Sequence, residues 1–387
     1  MKIPFVDGIV RWGTLAAHGV GLLPTAGRWS SGDLDRAGGI LVVISTALGD
    51  SVSFTPALEA LRVRAPRARL VGLYPAAFAA MYADDPRLDA VIPYYGKYRR
   101  VGETVRALRQ ARCEVAILAY MAEPDVVPLV RLGGSRILLR MAGRDTVYRR
   151  MMANPDMLAT PQTSEHAVRR GLRMIEALGG PDQPERPTLP VSNASMRRVA
   201  LWLGQGGAAL GSLCVGMHPG ASVGNKRWPA ECYVELGRRL LASGPALRLV
   251  LTGAPSEAEL VRRIAAEIGQ PARVVEAAGV VGIADLPALI AGLDLLISAD
   301  TGVAHVAYAT GTRTVTLFWR SDPAISGPIH DLDRHVVICR QPLCPPCRTR
   351  DCRYPDCANE ITVNRVLDVA REMLSRRTVA GYGRSVS

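Results

Sequence analysis

The chain has 387 residues, of which 48% are apolar and 21% are charged, so it is long enough for two globular domains with cores of their own. Its formal net charge of +12 favours acidic partners such as phosphorylated glycolipids, nucleoside diphosphates or an anionic membrane surface. Aromatic residues make up only 5%, and no nucleic-acid-binding module is recognised, so we exclude nucleic acid as a partner.

Residues 1–38 form an N-terminal extension that precedes the first predicted strand. No apolar run is long enough for a transmembrane helix, and the first residues lack the uninterrupted apolar region of a signal peptide. Apolar residues such as Val10, Trp12 and Leu15 stand among few charges. This pattern fits a helix at a membrane interface or a helix docked on its own protein. We therefore predict a cytoplasmic protein, with peripheral contact to the inner membrane left open.

Residues 39–190 are predicted to form the first α/β domain. The apolar run Ile40–Ser45 predicts a buried strand, and Asp50 begins a helical segment that reaches Arg64. Further strands are predicted at Leu70–Tyr74, Asp89–Tyr94, Glu114–Tyr120 and Ser135–Met141, with helices between them. This alternation predicts right-handed βαβ units and a parallel sheet. Four prolines between positions 181 and 190 form a stiff linker, where we place the domain boundary.

Residues 191–387 repeat the alternation and are predicted to form a second α/β domain. The predicted strands are Leu213–Met217, Leu247–Thr252, Arg273–Glu276, Leu295–Ser298 and Thr314–Trp319. A last helix is predicted at 361–376. Two similar halves predict a cleft between them, with ligands at the carboxyl ends of the strands.

Loops at predicted strand ends carry the residues that could perform chemistry. In the second half they are Ser222, Lys226, Glu257 and the segment Asp300-Thr301-Gly302 with His305. A helix that begins after Thr301 would present N–H groups and its dipole to an anion, and His305 would project from the same face as Thr301. In the first half, Asp50 could act as a general base. The alternatives are a helix cap for Asp50 and for Asp300 or Thr301, and a core histidine for His305. Lys226 could also be a surface lysine, and Glu257 a glutamate in the first turn of a helix.

The sequence resembles glycosyltransferase family 9, the ADP-heptose heptosyltransferases of lipopolysaccharide core assembly and their relatives. The similar segments occur in the family's order and cover most of the chain from Gly39 to Trp319. They are ILVVISTALGDSVSFTPALEALR, EHAVRRGLRMIEALG, GMHPGASVGNKRWPAECYVELGRRL, LTGAPSEAE and DLLISADTGVAHVAYATGTRTVTLF. The most specific is the D-T-G-x-x-H element of Asp300–His305.

The resemblance implies a GT-B architecture, in which two Rossmann-like α/β/α domains face each other across a cleft and the last helix, 361–376, packs back toward the N-terminal domain. It also implies an inverting transfer that requires no metal, from ADP-heptose to a hydroxyl acceptor on an anionic glycolipid. By the same resemblance Asp50 corresponds to the general base. The donor-binding residues are Ser222 and Lys226 at the diphosphate, Glu257 at the ribose, and Asp300, Thr301, Gly302 and His305 at the phosphate and sugar.

Four cysteines form a second notable feature, in a cysteine-rich loop at residues 339–357. Cys344, Cys347, Cys352 and Cys357 lie close enough in sequence to bind one tetrahedral metal ion, a structural zinc or iron, through thiolates. Two disulfides or a reduced loop without metal are the alternatives, and a reducing cytoplasm disfavours the disulfides.

Three other functions are compatible with these patterns. The same fold could use another nucleotide sugar, or a protein or small-molecule acceptor. It could instead epimerise or hydrolyse a sugar nucleotide. A protein of another class, a metal-dependent binding or assembly protein, would use the cysteine loop and the basic surface as its working parts.

Overall fold

The computed structural model describes residues 4–19, 29–120, 125–140, 148, 151–153, 165–205, 212–222, 224–340 and 355–380. The chain divides into two compact units, Met1–Pro187 and Thr188–Ser387. Each unit contains one sheet whose described strands all pair in parallel. The predicted class, an α/β fold built from parallel sheets, is confirmed.

The first unit has a five-stranded sheet in the order β3-β2-β1-β4-β5. Its strands are β1 (Gly39–Ile44), β2 (Arg69–Pro75), β3 (Ala90–Tyr94), β4 (Val115–Tyr120) and β5 (Ile137–Arg140). Its helices are α1 (Pro4–Gly19), α2 (Gly32–Arg36), α3 (Leu48–Ser53), α4 (Thr55–Arg64), α5 (Val101–Ala111), α6 (Val126–Leu132) and α7 (Ala167–Glu176). Every residue of β1 is buried, as expected for the central strand of a parallel sheet covered on both faces.

The second unit has a six-stranded sheet in the order β11-β10-β9-β6-β7-β8. Its strands are β6 (Leu213–His218), β7 (Leu247–Leu251), β8 (Val274–Glu276), β9 (Leu295–Ala299), β10 (Thr314–Phe318) and β11 (His335–Cys339). Its helices are α8 (Asn193–Gln205), α9 (Ala230–Leu241), α10 (Ala258–Ile268), α11 (Leu286–Ala291), α12 (Gly302–Thr310), α13 (Pro323–Ser326) and α14 (Val363–Ala380).

Two elements differ from the sequence prediction. The single helix expected from Asp50 to Arg64 is two helices, α3 and α4, which meet at Phe54. Pro56 lies in the first turn of α4, where its missing N–H is tolerated, whereas inside a continuous helix it would remove a hydrogen bond. Strand β11 was not predicted, although it is as long as the predicted strands β9 and β10.

The last helix, α14, belongs to the core of the second unit. Val366, Leu367, Ala370 and Met373 lie in one apolar cluster with the fully buried Trp228. The indole Nε1 of Trp228 donates a hydrogen bond of 3.0 Å to the carbonyl of Ile361, just before α14 begins. The apolar stripe of the predicted helix therefore covers the second sheet, and its packing toward the first domain stays a prediction.

Among the described residues, no helix combines the length and the apolar composition that crossing a membrane would require.

Candidate active site

In the second sheet, the side on which the chain adds new strands switches between β6 and β9. The chain adds β7 and β8 on one side of β6, and then β9, β10 and β11 on the other. In such sheets, ligands bind beyond the carboxyl ends of the strands at this point. His218 at the end of β6 pairs in register with Ser298 of β9, so the loops that follow these strands start side by side. These two loops carry four of the predicted donor residues, Ser222, Lys226, Asp300 and Thr301, and the loop after β9 leads into α12, which carries Gly302 and His305.

The start of α12 has the geometry of an anion site. Thr301 precedes the helix in an extended conformation, and its side chain makes no capping hydrogen bond. Its hydroxyl instead shares a hydrogen bond of 3.0 Å with the hydroxyl of Ser298. The first N–H groups of an α-helix have no acceptor within the helix, and the dipole makes this end electropositive. Thr301 thus occupies the N-cap position of α12 without a side-chain cap bond, and the role of this helix start in donor binding stays a prediction.

Asp300 lies at the centre of a polar cluster in front of this helix. The ammonium of Lys226 donates to Asp300 Oδ2 at 2.8 Å, and the hydroxyl of Ser321 donates to the same oxygen. His305 Nε2 lies 3.9 Å from Asp300 Oδ1. The structure thus brings together three of the predicted residues, Lys226, Asp300 and His305, and adds Ser321.

These neighbours favour the ionised form of Asp300. Burial alone would raise the pKa of Asp300, but Lys226, His305 and Ser321 together outweigh burial and lower this pKa below its ordinary value. Asp300 is therefore ionised at neutral pH, and its carboxylate holds the Lys226 ammonium close to the start of α12.

Glu257 lies on the loop that follows β7, next to the loop that follows β6. Its Oε2 accepts a hydrogen bond of 2.9 Å from the backbone N–H of Ala254, and its Oε1 lies 3.6 Å from a guanidinium nitrogen of Arg227. The carboxylate lies against Gly220, where a Cβ atom would come within 2.1 Å of Oε2. A side chain at position 220 would displace this carboxylate, so the glycine allows Glu257 to lie beside the loop that follows β6.

His218, the last residue of β6, is buried beneath this loop. Its Nδ1 lies 3.0 Å from the Thr252 hydroxyl, and its carbonyl accepts a hydrogen bond of 2.9 Å from Tyr233. Burial lowers the pKa of His218, and Glu257 only partly opposes this effect. The imidazole is therefore neutral at neutral pH and serves the packing of the loop.

Ser222 is exposed on the loop between Gly220 and Lys226. Among the contacts of the described residues, none joins Ser222 to the Asp300 cluster. The neighbouring Asn225 is instead held by the segment that follows β10. The indole of Trp319 donates to the Asn225 carbonyl at 3.0 Å, and Arg320 donates to Asn225 Oδ1. Sequence reasoning missed this segment, although it follows a predicted strand at the same edge of the sheet.

Asp50 occupies the corresponding position in the first unit. In the first sheet, the side on which the chain adds new strands switches between β1 and β4. Ile44 at the end of β1 pairs with Tyr120 at the end of β4. Asp50 follows β1 in the first turn of α3, and its Oδ2 accepts a hydrogen bond of 3.3 Å from the Ala47 N–H. The half-buried carboxylate thus supports its own helix, as the alternative interpretation requires, while lying where a ligand would bind.

The charged groups near Asp50 can be identified from the environment of Tyr120 at the end of β4. Its hydroxyl donates to the carbonyl of Ala167 at 2.9 Å, and the guanidinium of Arg170 lies 5.0 Å from its ring centre. Burial raises the pKa of Tyr120, Arg170 opposes the rise, and the carboxylate of Asp50 adds to it. Asp50 and Arg170 therefore both lie near the end of β4.

The cysteine cluster cannot be assembled from the described part of the chain. Cys344, Cys347 and Cys352 lie outside the described residues, whereas Cys357 is buried in the apolar core of the second unit. Among the residues that the structure describes, no group of three or more metal-ligating side chains occurs. The four-cysteine metal site stays a prediction.

The chain is similar to known heptosyltransferases in sequence and in fold. A Salmonella typhimurium relative, lipopolysaccharide heptosyltransferase 2, is 24% identical over 313 residues, covering 77% of this chain and 88% of that protein. The structure of E. coli ADP-heptose lps heptosyltransferase II matches with a TM-score of 0.70 at 22% identity, covering 88% and 99% of the two chains. E. coli heptosyltransferase WaaC with ADP matches with a TM-score of 0.64 at 20% identity, covering 86% and 99%.

These structural matches confirm the predicted GT-B fold class. The profile of glycosyltransferase family 9 (heptosyltransferase) matches residues 141–358, which is more than half of the chain. The predicted family and the predicted enzyme class, a glycosyltransferase, are confirmed with it. The protein belongs to glycosyltransferase family 9.

Proposed function

We propose that the protein is an inverting, metal-independent glycosyltransferase that moves heptose from ADP-heptose to a hydroxyl group of a lipopolysaccharide-type glycolipid. The observation that carries this proposal is the cluster of Lys226, Asp300 and Ser321 in front of the start of α12. This cluster lies at the carboxyl ends of β6 and β9, where the strand order of the second sheet reverses. The relative named lipopolysaccharide heptosyltransferase 2 supports the acceptor class, and the similar WaaC structure with ADP supports the nucleotide.

In the proposed reaction, the acceptor oxygen attacks the anomeric carbon of the donor sugar. The new bond forms as the bond between that carbon and the phosphate oxygen breaks, and the electron pair leaves on ADP. Asp50 takes the proton of the attacking hydroxyl. The N–H groups at the start of α12 and the Lys226 ammonium stabilise the charge that develops on the diphosphate, while Glu257 accepts hydrogen bonds from the ribose hydroxyls.

ADP release tests this assignment directly. Purified protein is given ADP-heptose and a heptose-acceptor glycolipid, and Asp50→Asn is compared with the wild type. Asparagine keeps an oxygen for the Ala47 N–H but cannot take a proton, so we expect the rate to fall by about 10²- to 10⁴-fold while ADP-heptose binding is unchanged. A rate close to the wild type would exclude Asp50 as the base. The anomeric configuration of the product and the rate after treatment with EDTA test inversion and metal independence.

Other nucleotide sugars are the main competing donors. A thermal-shift panel of ADP-, UDP- and GDP-sugars identifies the donor, because a ligand that binds the native state raises its apparent stability. Donor turnover without acceptor separates a transferase, which should turn over only very slowly, from an epimerase or hydrolase of the same fold. If no nucleotide sugar binds, a binding or assembly protein becomes the better interpretation.

A glycolipid acceptor would place the protein at a membrane surface, and α1 offers a side suited to this. Asp7 ties the helix to the first unit, because it pairs with Lys97 and accepts a hydrogen bond of 2.9 Å from Tyr98. Trp12 has 76% of its surface exposed. We expect Trp12→Ser to weaken cosedimentation with anionic vesicles by at least about fivefold. Leu201→Ser, which alters an equally exposed apolar residue of the second unit, is the control. Equal losses in both variants would contradict a specific role for α1.

A further inference from the structure

The imidazole of His305 packs against a buried tyrosine of its own helix. His305 and Tyr308 are three residues apart on α12, so their side chains lie on the same face. Their ring centres are 5.7 Å apart and the ring planes meet at 70°, the edge-to-face arrangement that aromatic rings favour. Tyr308 is only 4% exposed. It therefore contacts a predicted donor residue from inside the protein.

Tyr308 is fixed at its hydroxyl and at its ring. The hydroxyl donates a hydrogen bond of 3.0 Å to Thr316 Oγ1 on β10, and the ring contacts the imidazole of His335 on β11, with ring centres 5.0 Å apart. The hydroxyl of Thr314 lies 3.1 Å from His335 Nδ1. Thr314 and Thr316 are two residues apart on one strand, so both project from the face of the sheet that carries Tyr308. The sheet thus holds the tyrosine in one orientation.

The protonation states agree with this packing. Burial raises the pKa of Tyr308, and the charge of Asp300 adds to the rise, so the phenol keeps its proton for the bond to Thr316. Burial lowers the pKa of His335 to about 4, and His330 acts in the same direction, so this imidazole is uncharged at neutral pH. Tyr308 and His335 therefore add no charge beside His305, and their contribution is the shape of the surface against which it packs.

We propose that Tyr308 is a positioning residue of the donor site, whose ring holds the His305 imidazole toward Asp300 and thereby fixes its contacts with the donor. The distance of 3.9 Å between His305 Nε2 and Asp300 Oδ1 is the arrangement that it maintains. This inference rests on the proposed function, since it assumes that the site binds a sugar nucleotide beside His305. A purely structural role, in which Tyr308 only fills the space between α12 and β10, is the competing explanation.

A double-mutant cycle separates the two roles. The dissociation constant of ADP-heptose is measured by calorimetry for Tyr308→Leu in the wild type and in a His305→Gln background. If Tyr308 acts through His305, Tyr308→Leu weakens ADP-heptose about 5- to 30-fold in the wild type and less than about twofold in His305→Gln. Tyr308→Phe keeps the ring and should bind within about threefold of the wild type. If Tyr308→Leu does not fold, Tyr308→Met takes its place, because methionine adapts to irregular space in a core.

Ile338→Ala is the matched control, because it removes buried apolar surface from the cluster around Trp228 in the same unit. It should destabilise this unit and leave ADP-heptose binding unchanged. The imidazole resonances of His305 give a readout without ligand, since the chain has only six histidines and His305→Gln identifies the signal by its loss. These resonances should shift in Tyr308→Leu and stay close to the wild type in Tyr308→Phe.

Four results would overturn the proposal. They are wild-type affinity in Tyr308→Leu, an equal loss of affinity in both backgrounds, a loss as large in Ile338→Ala, and His305 resonances that Tyr308→Leu leaves unchanged. Failure of the wild type to bind ADP-heptose would instead overturn the proposed function, and the resonances would still report whether Tyr308 orients His305.

Discussion

Replacing Lys226 by methionine tests the electrostatic description of the donor site. The Asp300 side chain keeps only 10% of its surface exposed and that of Lys226 keeps 29%, so the variant leaves a largely buried carboxylate without its cation. Breaking a fully buried pair costs about 3–5 kcal/mol. Here Ser321 still donates to the carboxylate and Lys226 is partly hydrated, so we expect a loss of about 1–3 kcal/mol in the free energy of unfolding at pH 7.

The loss should depend on pH in a defined direction. The pKa of Asp300 lies below its ordinary value of 3.8 in the folded wild type, so this carboxyl stabilises the fold above that pH. That contribution is lost as the pH falls through the folded pKa. In Lys226→Met, burial acts with less opposition and raises the pKa of Asp300, so ionisation of this group becomes less favourable to folding. The difference between the two proteins should therefore be largest at neutral pH and shrink below about pH 4.

Guanidinium denaturation followed by tryptophan fluorescence measures these differences. The same substitution is made in an Asp300→Asn background, where no charge needs a partner, and it should cost less than about 0.5 kcal/mol there. Arg262→Met is the control, because its ion pair with Glu259 is exposed and should contribute less than about 0.5 kcal/mol. If Lys226→Met costs the same in both backgrounds, the ion pair is not the source of the stability and the reasoning is refuted.

The remaining predictions concern one substitution in each unit. Gly220→Ala places a methyl group within 2.1 Å of the Glu257 carboxylate and should weaken ADP-heptose binding by about tenfold in calorimetry with little change in fold; unchanged binding would argue against Glu257 as a ribose ligand. Arg87→Met should destabilise the first unit by about 3–5 kcal/mol in denaturant titrations, because it leaves the fully buried carboxylate of Asp85 unpaired. A loss below about 1 kcal/mol would show that water or rearranged groups replace the guanidinium.

Much of the fold follows from local patterns in the sequence. Apolar runs such as Ile40–Ser45 and Leu295–Ser298 predict strands that the structure contains, because a parallel sheet buries both faces of its central strands. The break at Phe54 and the edge strand β11 were missed for different reasons. The break depends on one proline whose position in a first turn must be known, whereas β11 has an apolar run as long as that of β10 and could have been recognised from it.

In the candidate site, too, local features were predictable and contacts between distant segments were not. Residues such as Lys226 and Asp300 were predicted because each follows a strand, and strand ends meet at one edge of a parallel sheet. Their hydrogen-bond partners were not predicted. The contact between Ser321 and Asp300 requires β10 to lie next to β9 in register, which no local pattern in either segment encodes. The contact between Gly220 and Glu257 likewise depends on the path of two loops that are distant in sequence.

These unpredicted contacts change the role that we infer for Asp300. A carboxylate in front of a helix start would repel a diphosphate if it faced the phosphates directly. Two donors instead occupy one of its oxygens, Oδ2, and His305 lies near the other. We therefore infer that Asp300 positions the Lys226 ammonium toward the phosphates, with any remaining acceptor capacity directed at hydroxyl groups of the sugar. In this arrangement, attraction of the diphosphate depends on the start of α12 and on the Lys226 ammonium that Asp300 positions.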